Sequence, residues 1–213
     1  MTKIAVIDYG IGNILSVQRA FEFCGANVIV TNKKEEILKA SKIVLPGVGA
    51  FSNAMQSLNK LDLVEVIKEI CVRDTPLLGI CLGMQLLFDF SEEFNFAEGL
   101  GLIPGKVVKI PTNSSSGLQI KIPQIGWNSL RQTNKEINLQ QTILRDCGEN
   151  AEVYFVHSFM AIPVNPKIEI AHCLYGDQKI VSMIKDKKLF GCQFHPEKSG
   201  QIGLKIIQNF LTQ

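Results

Sequence analysis

Short apolar runs alternate with segments of helical spacing along the first half of the chain. The runs occupy residues 3–8, 27–31, 42–45 and 76–80, with helices predicted over about residues 13–24, 33–40 and 52–73. Continuous apolar runs of this length are typical of parallel strands, because helices cover both faces of such a sheet. Asn13 can cap the first helix and Gly25 can end it. The pattern predicts an α/β fold with a doubly wound, mostly parallel sheet.

The second half of the chain is richer in predicted strands. Residues 107–110 form one strand, and residues 153–156, 168–173, 180–184 and 189–194 predict an antiparallel extension of the sheet. Residues 112–117 read as a polar loop, and residues 131–150 have a weak helical pattern. Ser199 can cap a last amphipathic helix. Because no repeat or linker divides the chain, we predict one domain over residues 1–213.

Composition excludes several classes of protein. Charged residues make up 20% of the chain and the net charge is +2, so nothing favours a nucleic-acid partner. We find no run of 18 apolar residues and no signal-peptide pattern, and we therefore expect a cytoplasmic protein with no membrane partner. None of the six cysteines forms a C-x-x-C pair, so we expect reduced thiols and no metal site. Gly10 and Gly12 resemble the start of a dinucleotide fingerprint, but the third glycine is missing, and we expect no cofactor.

The candidate chemistry begins in residues 75–88, where Cys81 lies between Gly79 and Gly83. A cysteine with glycines at i−2 and i+2, between a strand and a helix, is the pattern of a nucleophile elbow. We expect the helix to run to about residue 91, with its N-terminal N–H groups favouring a thiolate. The alternative is a buried structural cysteine between two packing glycines.

Two further stretches can complete a site around Cys81. His195 ends an apolar strand and Glu197 follows it, so the histidine can act as a base that the carboxylate orients. Residues 46–51 (PGVGAF) follow the third strand and can supply backbone N–H groups to an oxyanion, although a plain turn would have the same sequence. His172 alternates with apolar residues and is interpreted as structural, whereas His157 is closer to a plausible site but has no acid beside it.

These stretches resemble class I (triad) glutamine amidotransferases, which have a flavodoxin-like fold. The similarity is closer still to the glutamine amidotransferase subunit of imidazole glycerol phosphate synthase. The segments that carry this resemblance span nearly the whole chain and are residues 9–13 (YGIGN), 46–49 (PGVG), 79–88 (GICLGMQLLF), 126–128 (GWN), 154–158 (YFVHS) and 195–199 (HPEKS).

The resemblance implies hydrolysis of L-glutamine to glutamate and ammonia. Cys81 would be the nucleophile, His195 the acid and base, and Glu197 the residue that orients the histidine. The N–H groups of Val48 and Leu82 would stabilise the oxyanion. By family position, the residues that hold glutamine would be Gly49, Gln85, Glu93, Ser158 and Phe159, and those facing a partner subunit would be Asn13, Trp127, Tyr154 and Lys198.

A chain of 213 residues that the glutaminase fold fills has no room for a synthase domain, so the ammonia acceptor should lie on another chain. In the resembled family that partner is a (β/α)8 barrel cyclase, which forms a heterodimer with the glutaminase. It makes imidazole glycerol phosphate and aminoimidazole carboxamide ribotide for histidine and purine synthesis. Residues 123–125 read Pro-Gln-Ile where this family often has Pro-His-Met, in a segment expected near the interface. A paralogous glutaminase that feeds a sugar amidotransferase in surface-polysaccharide synthesis therefore stays open as an alternative.

Overall fold

The computed structural model describes residues 2–114, 117, 119–133 and 135–213. The strands of this part of the chain are β1 (Lys3–Ile7), β2 (Asn27–Thr31), β3 (Lys42–Leu45), β4 (Leu77–Ile80), β5 (Phe88–Ser91), β6 (Ala97–Glu98), β7 (Ile103–Lys109), β8 (Gln124–Ser129), β9 (Arg131–Gln132), β10 (Glu152–His157), β11 (Phe159–Pro163), β12 (Glu169–Tyr175), β13 (Gln178–Asp186) and β14 (Leu189–Cys192). Its α-helices are α1 (Ile14–Phe23), α2 (Lys34–Leu38), α3 (Phe51–Lys60), α4 (Leu63–Val72), α5 (Leu82–Gln85) and α6 (Gly200–Leu211). Short 3-10 helices cover Leu139–Gln141, Pro166–Ile168 and Pro196–Lys198.

The main sheet has eight strands in the order β2-β1-β3-β4-β14-β13-β12-β9. The five strands from β2 to β14 pair in parallel, and β13, β12 and β9 continue the sheet in antiparallel pairs. The predicted α/β fold with a mostly parallel sheet and an antiparallel extension is therefore confirmed.

Helices cover both faces of the main sheet, as the apolar runs predicted. Alternate side chains of a strand point to opposite faces, and β1 accordingly places Ile4 and Ile7 in different apolar clusters. The first cluster packs against α1 and α6, and the second packs against α3 and α4. In the part of the chain that the structure describes, no helix is long and apolar enough to span a membrane.

Two strands predicted for the antiparallel extension are placed differently. β14 pairs in antiparallel only with β13 and joins the parallel strands through β4. β10 does not join the antiparallel extension but pairs with β8 in a separate two-stranded sheet, where Tyr154 lies opposite Trp127. A second separate sheet has the order β11-β7-β5-β6. Alternation in sequence shows that a segment is a strand, but the choice of neighbour is made by long-range contacts.

The helix after Cys81 is much shorter than predicted. α5 ends at Gln85, and the backbone then enters β5, which pairs in parallel with β7. The Leu86 carbonyl accepts a hydrogen bond from Leu100 N–H, and the Leu87 carbonyl accepts one from Ile103 N–H, so this segment is held by distant backbone instead of by a second helical turn. A short apolar run does not distinguish a strand from a buried helix.

Two cap predictions and one helical pattern also need correction. Asn13 and Ser199 occupy N-cap positions, but neither side chain makes a capping bond to the described residues. The described residues between 131 and 150, which exclude residue 134, contain β9 and a 3-10 turn instead of an α-helix. The predicted loop at 112–117 includes residues 115 and 116, which lie outside the described residues.

Candidate active site

The site lies where four neighbouring parallel strands end. β1, β3, β4 and β14 are adjacent, and they lead respectively to the turn before Asn13, the loop at residues 46–50, Cys81 and His195. The carboxyl ends of parallel strands form the usual crevice for ligands in such sheets. Sheet topology alone therefore brings together segments that are far apart in sequence.

Cys81 occupies a strained elbow between β4 and α5. Its φ of 54° and ψ of −110° lie in a region that non-glycine residues rarely adopt, which costs on the order of 1–3 kcal/mol. The turn is secured by a hydrogen bond of 2.7 Å from Cys81 N–H to the Cys192 carbonyl. A Cβ on Gly83 would lie 1.8 Å from the Leu45 carbonyl oxygen, so only glycine lets α5 pack this closely on β3.

His195 and Glu197 form a buried pair beside the elbow. Nδ1 of His195 lies 2.8 Å from Oε1 of Glu197, and the two side chains are 2% and 1% exposed. Since a carboxylate oxygen accepts, Nδ1 carries a hydrogen and the tautomer is set. Nε2 of His195 is also buried and has no hydrogen-bond partner in the described chain, as is common in catalytic sites without substrate.

The neighbours of His195 control its protonation. Burial acts to lower the pKa of this imidazole, but the Cys81 sulfur and the Glu197 carboxylate outweigh burial and raise the pKa to about 10. The histidine is therefore held as an imidazolium at neutral pH, next to the cysteine that would be the nucleophile. A proton is thus available at the site for a leaving group.

Glu197→Gln is expected to lower glutamine turnover by on the order of 10²–10⁴ while keeping the fold. The amide can still accept from Nδ1, but it carries no charge to stabilise the imidazolium. Turnover and its pH profile, measured beside the exposed control Glu65→Gln, would check this. Unchanged turnover would mean that another group orients His195.

A cavity of about 350 Å³ opens in front of Cys81. All five side chains or glycines expected to hold glutamine line this cavity, and so do both expected oxyanion residues. The lining residues are Val48, Gly49, Cys81, Leu82, Gln85, Glu93, Pro123, Val156, His157, Ser158 and Phe159. The structure thus brings the predicted site residues of this group together, whereas sequence reasoning did not place Val156 in it.

Two acceptor groups are prepared in the wall of the cavity. Glu93 is 8% exposed, and its Oε2 accepts a 2.6 Å bond from Phe51 N–H at the start of α3. Burial raises the pKa of Glu93, although the Phe51 bond opposes the shift. Gln85 donates from Nε2 to the Phe159 carbonyl at 3.0 Å and to Gln193 at 2.9 Å, which leaves its Oε1 as an acceptor.

The predicted oxyanion segment is anchored at one end and open at the other. The Tyr9 hydroxyl donates a 2.7 Å bond to the Pro46 carbonyl, and a Cβ on Gly47 would lie 2.6 Å from that hydroxyl oxygen. Val48 is 40% exposed, and Gly49 has a φ of +106°. Opposite this loop, Leu82 is the first residue of α5, where N–H groups have no partner within the helix.

His157, which lines the cavity, forms a polar pair with the buried Gln124 that sequence reasoning did not assign. Nδ1 of His157 donates to the Phe159 carbonyl at 2.8 Å, and burial lowers the pKa of His157 to about 4. The neutral ring therefore presents a bare Nε2 to the Gln124 amide, 3.1 Å away. In the structure Oε1 of Gln124 faces this Nε2, and Nε2 of Gln124 lies 3.7 Å from the Cys173 sulfur. Because two acceptors would repel, a neutral His157 requires the opposite orientation of the Gln124 amide.

The segment expected near the interface is buried at one position and exposed at the next. Gln124 is 2% exposed, whereas its neighbour Ile125 is 60% exposed. The departure from Pro-His-Met therefore changes a buried contact of His157 at residue 124 and an exposed side chain at residue 125.

The free energy of unfolding is expected to fall by about 3 kcal/mol through His157 as the pH drops from 7 to below 4. An unfolded histidine takes up its proton near pH 6.5, but the buried His157 takes it up near pH 4, so the unfolded state gains protons first. Denaturant titrations of wild type and His157→Gln between pH 4 and 7 would measure this term, since other groups cancel in the difference. Parallel curves for the two proteins would contradict it.

Three of the four residues expected to face a partner lie on one surface beside His195. The rings of Trp127 and Tyr154 are 5.9 Å apart, and Trp127 is 56% exposed. Ser199 links this surface to the catalytic histidine, because its Oγ accepts from Tyr154 N–H and donates to the His195 carbonyl. Lys198 is exposed on the intervening turn, and the half-buried Asn13 precedes α1, which contacts the same turn.

Sequence reasoning also missed Gln193. This residue is fully buried, and its amide touches both Gln85 and the Cys81 sulfur. The available signal was a polar side chain at the end of an apolar strand, two residues before His195.

Comparison with known proteins agrees with this geometry. The family model "Glutamine amidotransferase class-I" matches residues 5–213. The chain is 50% identical over 211 residues to "Imidazole glycerol phosphate synthase subunit HisH 1" of Legionella pneumophila (strain Lens), covering 99% of each chain. It is 44% identical over 213 residues to "Imidazole glycerol phosphate synthase subunit HisH" of Lactococcus lactis subsp. lactis (strain IL1403), covering 100% of each.

Solved structures show the same fold at much lower identity. PurLQS from Thermotoga maritima superposes with a TM-score of 0.70 at 19% identity, covering 99% of this chain and 98% of that one. A structure described as a glutamine amidotransferase has a TM-score of 0.69 at 15% identity, covering 98% and 97%. The chain belongs to the class I glutamine amidotransferase family, and within it to the imidazole glycerol phosphate synthase subunits HisH.

Proposed function

We propose that this protein is a glutaminase subunit that hydrolyses L-glutamine to glutamate and ammonia. The observation that carries the proposal is the strained Cys81 elbow in the cavity wall, beside the buried His195–Glu197 pair. The family membership supports it, and the names of the relatives give no support to the sugar amidotransferase alternative.

Binding begins with the orientation of glutamine in the cavity. The Oε1 of Gln85 and the carboxyl group of Glu93 would accept hydrogen bonds from the α-ammonium, since both are acceptors facing the cavity. Gly49, Ser158 and Phe159 would contact the remaining backbone groups. This arrangement leaves the side-chain amide directed toward Cys81.

The chemistry then follows in two steps. The Cys81 thiolate attacks the side-chain carbonyl carbon, and the N–H groups of Leu82 and Val48 stabilise the resulting oxyanion. His195 gives its proton to the amide nitrogen, and the C–N bond breaks. Ammonia leaves, and a glutamyl thioester with Cys81 remains. His195 then removes a proton from water, the hydroxide attacks the thioester, and glutamate leaves as the thiol re-forms.

The ammonia would pass to a separate (β/α)8 cyclase subunit in a heterodimer. The relatives' names make them subunits of imidazole glycerol phosphate synthase. On this chain the exposed Trp127, with Tyr154 and Lys198, supports a partner surface close to His195. We place the complex in the cytoplasm, with imidazole glycerol phosphate and aminoimidazole carboxamide ribotide as products. That residues 1–213 form one domain remains a prediction.

The test is transfer of nitrogen from glutamine labelled at the side-chain amide. With a cyclase subunit and its nucleotide ligand present, the label should appear in imidazole glycerol phosphate, and asparagine should give no product. Label that appears only as free ammonia, or product formed only with a sugar amidotransferase, would contradict the proposed partner.

A further inference from the structure

The side-chain amide of Gln193 bridges two residues that line the cavity, Gln85 and the nucleophile Cys81. Gln193 follows β14 directly, is 0% exposed, and its N–H donates to the Ser182 carbonyl at 2.9 Å, so its backbone is fixed. Its Oε1 lies 2.9 Å from Nε2 of Gln85, and its Nε2 lies 3.6 Å from the Cys81 sulfur. A buried amide of this kind is normally retained only with its hydrogen bonds satisfied.

The direction of this hydrogen-bond chain follows from the Phe159 carbonyl. A carbonyl can only accept, so the neighbouring Gln85 group must be its amide nitrogen, 3.0 Å away. The same nitrogen faces Gln193, which must therefore present its oxygen there. Gln193 then directs its side-chain NH₂ group at the Cys81 sulfur. A flipped amide would lose the hydrogen bond from Gln85.

The Cys81 sulfur has opposing neighbours. The Val156 carbonyl lies 3.8 Å away and can accept only from a protonated thiol. The side-chain amide N–H of Gln193 can instead donate to a thiolate, and a hydrogen bond donated to the charged form stabilises that form. Gln193 therefore favours the Cys81 thiolate, as His195 does, whereas the Val156 carbonyl favours the protonated thiol.

We propose that Gln193 is a positioning residue that orients the Cys81 sulfur and favours its thiolate, and that Gln85 holds Gln193 in the orientation this requires. Gln193 does not line the cavity. The proposal rests on the proposed function, because this hydrogen-bond chain links the cavity wall that would bind glutamine to the nucleophile.

The experiment measures the rate of Cys81 alkylation by iodoacetamide as a function of pH, followed by mass spectrometry of the Cys81 peptide. Gln193→Met keeps the length of the side chain and removes the donor. The midpoint of its profile should rise by about one pH unit, which means about tenfold slower alkylation well below the midpoint. Gln193→Glu keeps an acceptor for Gln85 but loses the donor, and it should shift the midpoint in the same direction by at least as much.

Asn209→Leu is the matched control, because Asn209 is also a buried amide, 2% exposed, but bonds to the Ile143 and Arg145 carbonyls instead of the site. It should lower thermal stability without moving the alkylation profile. A Gln193→Met profile that overlays wild type, or an equal shift in Asn209→Leu, would overturn the proposal. If Gln193→Met fails to fold, Gln193→Glu decides the question.

Alkylation does not depend on glutamine hydrolysis, so the two proposals can fail separately. Wild-type protein that hydrolyses glutamine, with no shift in either Gln193 variant, would refute the role of Gln193 alone. Wild-type protein that does not hydrolyse glutamine even with its partner, while the variants shift the profile, would refute the proposed function and leave the hydrogen-bond chain standing.

Discussion

Cys81→Ala is expected to abolish glutamine hydrolysis, with a loss of about four orders of magnitude or more in turnover. Alanine keeps a Cβ in the strained elbow but has no sulfur to form the thioester. Ammonia release from glutamine would be measured with the partner present. The control is Cys71→Ser at the end of α4, a half-buried position outside the cavity.

Covalent labelling identifies the nucleophile directly. A glutamine-mimicking electrophile should label Cys81 and leave the other cysteines untouched. Burial raises the pKa of Cys71 and that of Cys147 to about 11, so those thiols stay protonated near neutral pH. Labelling at either of them with Cys81 unmodified would refute the assignment.

The isolated chain is expected to hydrolyse glutamine about 10²–10³-fold more slowly than the complex with its partner, which corresponds to one missing oxyanion donor. Tyr9 anchors the loop at Pro46, but the exposed Val48 lies between two glycines. The Gly47–Val48 peptide can therefore turn at low cost, and we expect its N–H to point away from the cavity when no partner is bound. A partner that binds more tightly to the form with this N–H directed into the cavity shifts the population toward that form.

Turnover would be measured for the chain alone and at increasing concentrations of the cyclase with its ligand. Trp127→Ala should weaken activation, whereas the exposed Val72→Ala, on the helix that leads into the opposite end of β4, should not. Full activity of the chain alone would exclude the switch. An equal loss of activation in both variants would mean that Trp127 has no specific role in docking.

The sequence by itself determined the order of strands and helices in the parallel half and the identity of the chemical residues. Those signals are local: a run of buried side chains marks each parallel strand, and the glycines around Cys81 mark a turn that bulkier residues cannot form. His195 and Glu197 are two residues apart, so their pairing is also a short-range property. Once these strands lie side by side, their carboxyl ends must converge.

Tertiary structure alone decided what depends on distant partners. α5 stops after one turn because backbone from residues 100–103 binds its continuation, and β10 leaves the main sheet because β8 offers it a complete ladder. Ser199 bonds Tyr154 and His195 instead of capping α6, and Gln193 finds Gln85 more than a hundred positions earlier. Hydrogen-bond partners of buried polar groups are chosen by three-dimensional proximity, which no spacing in the sequence encodes.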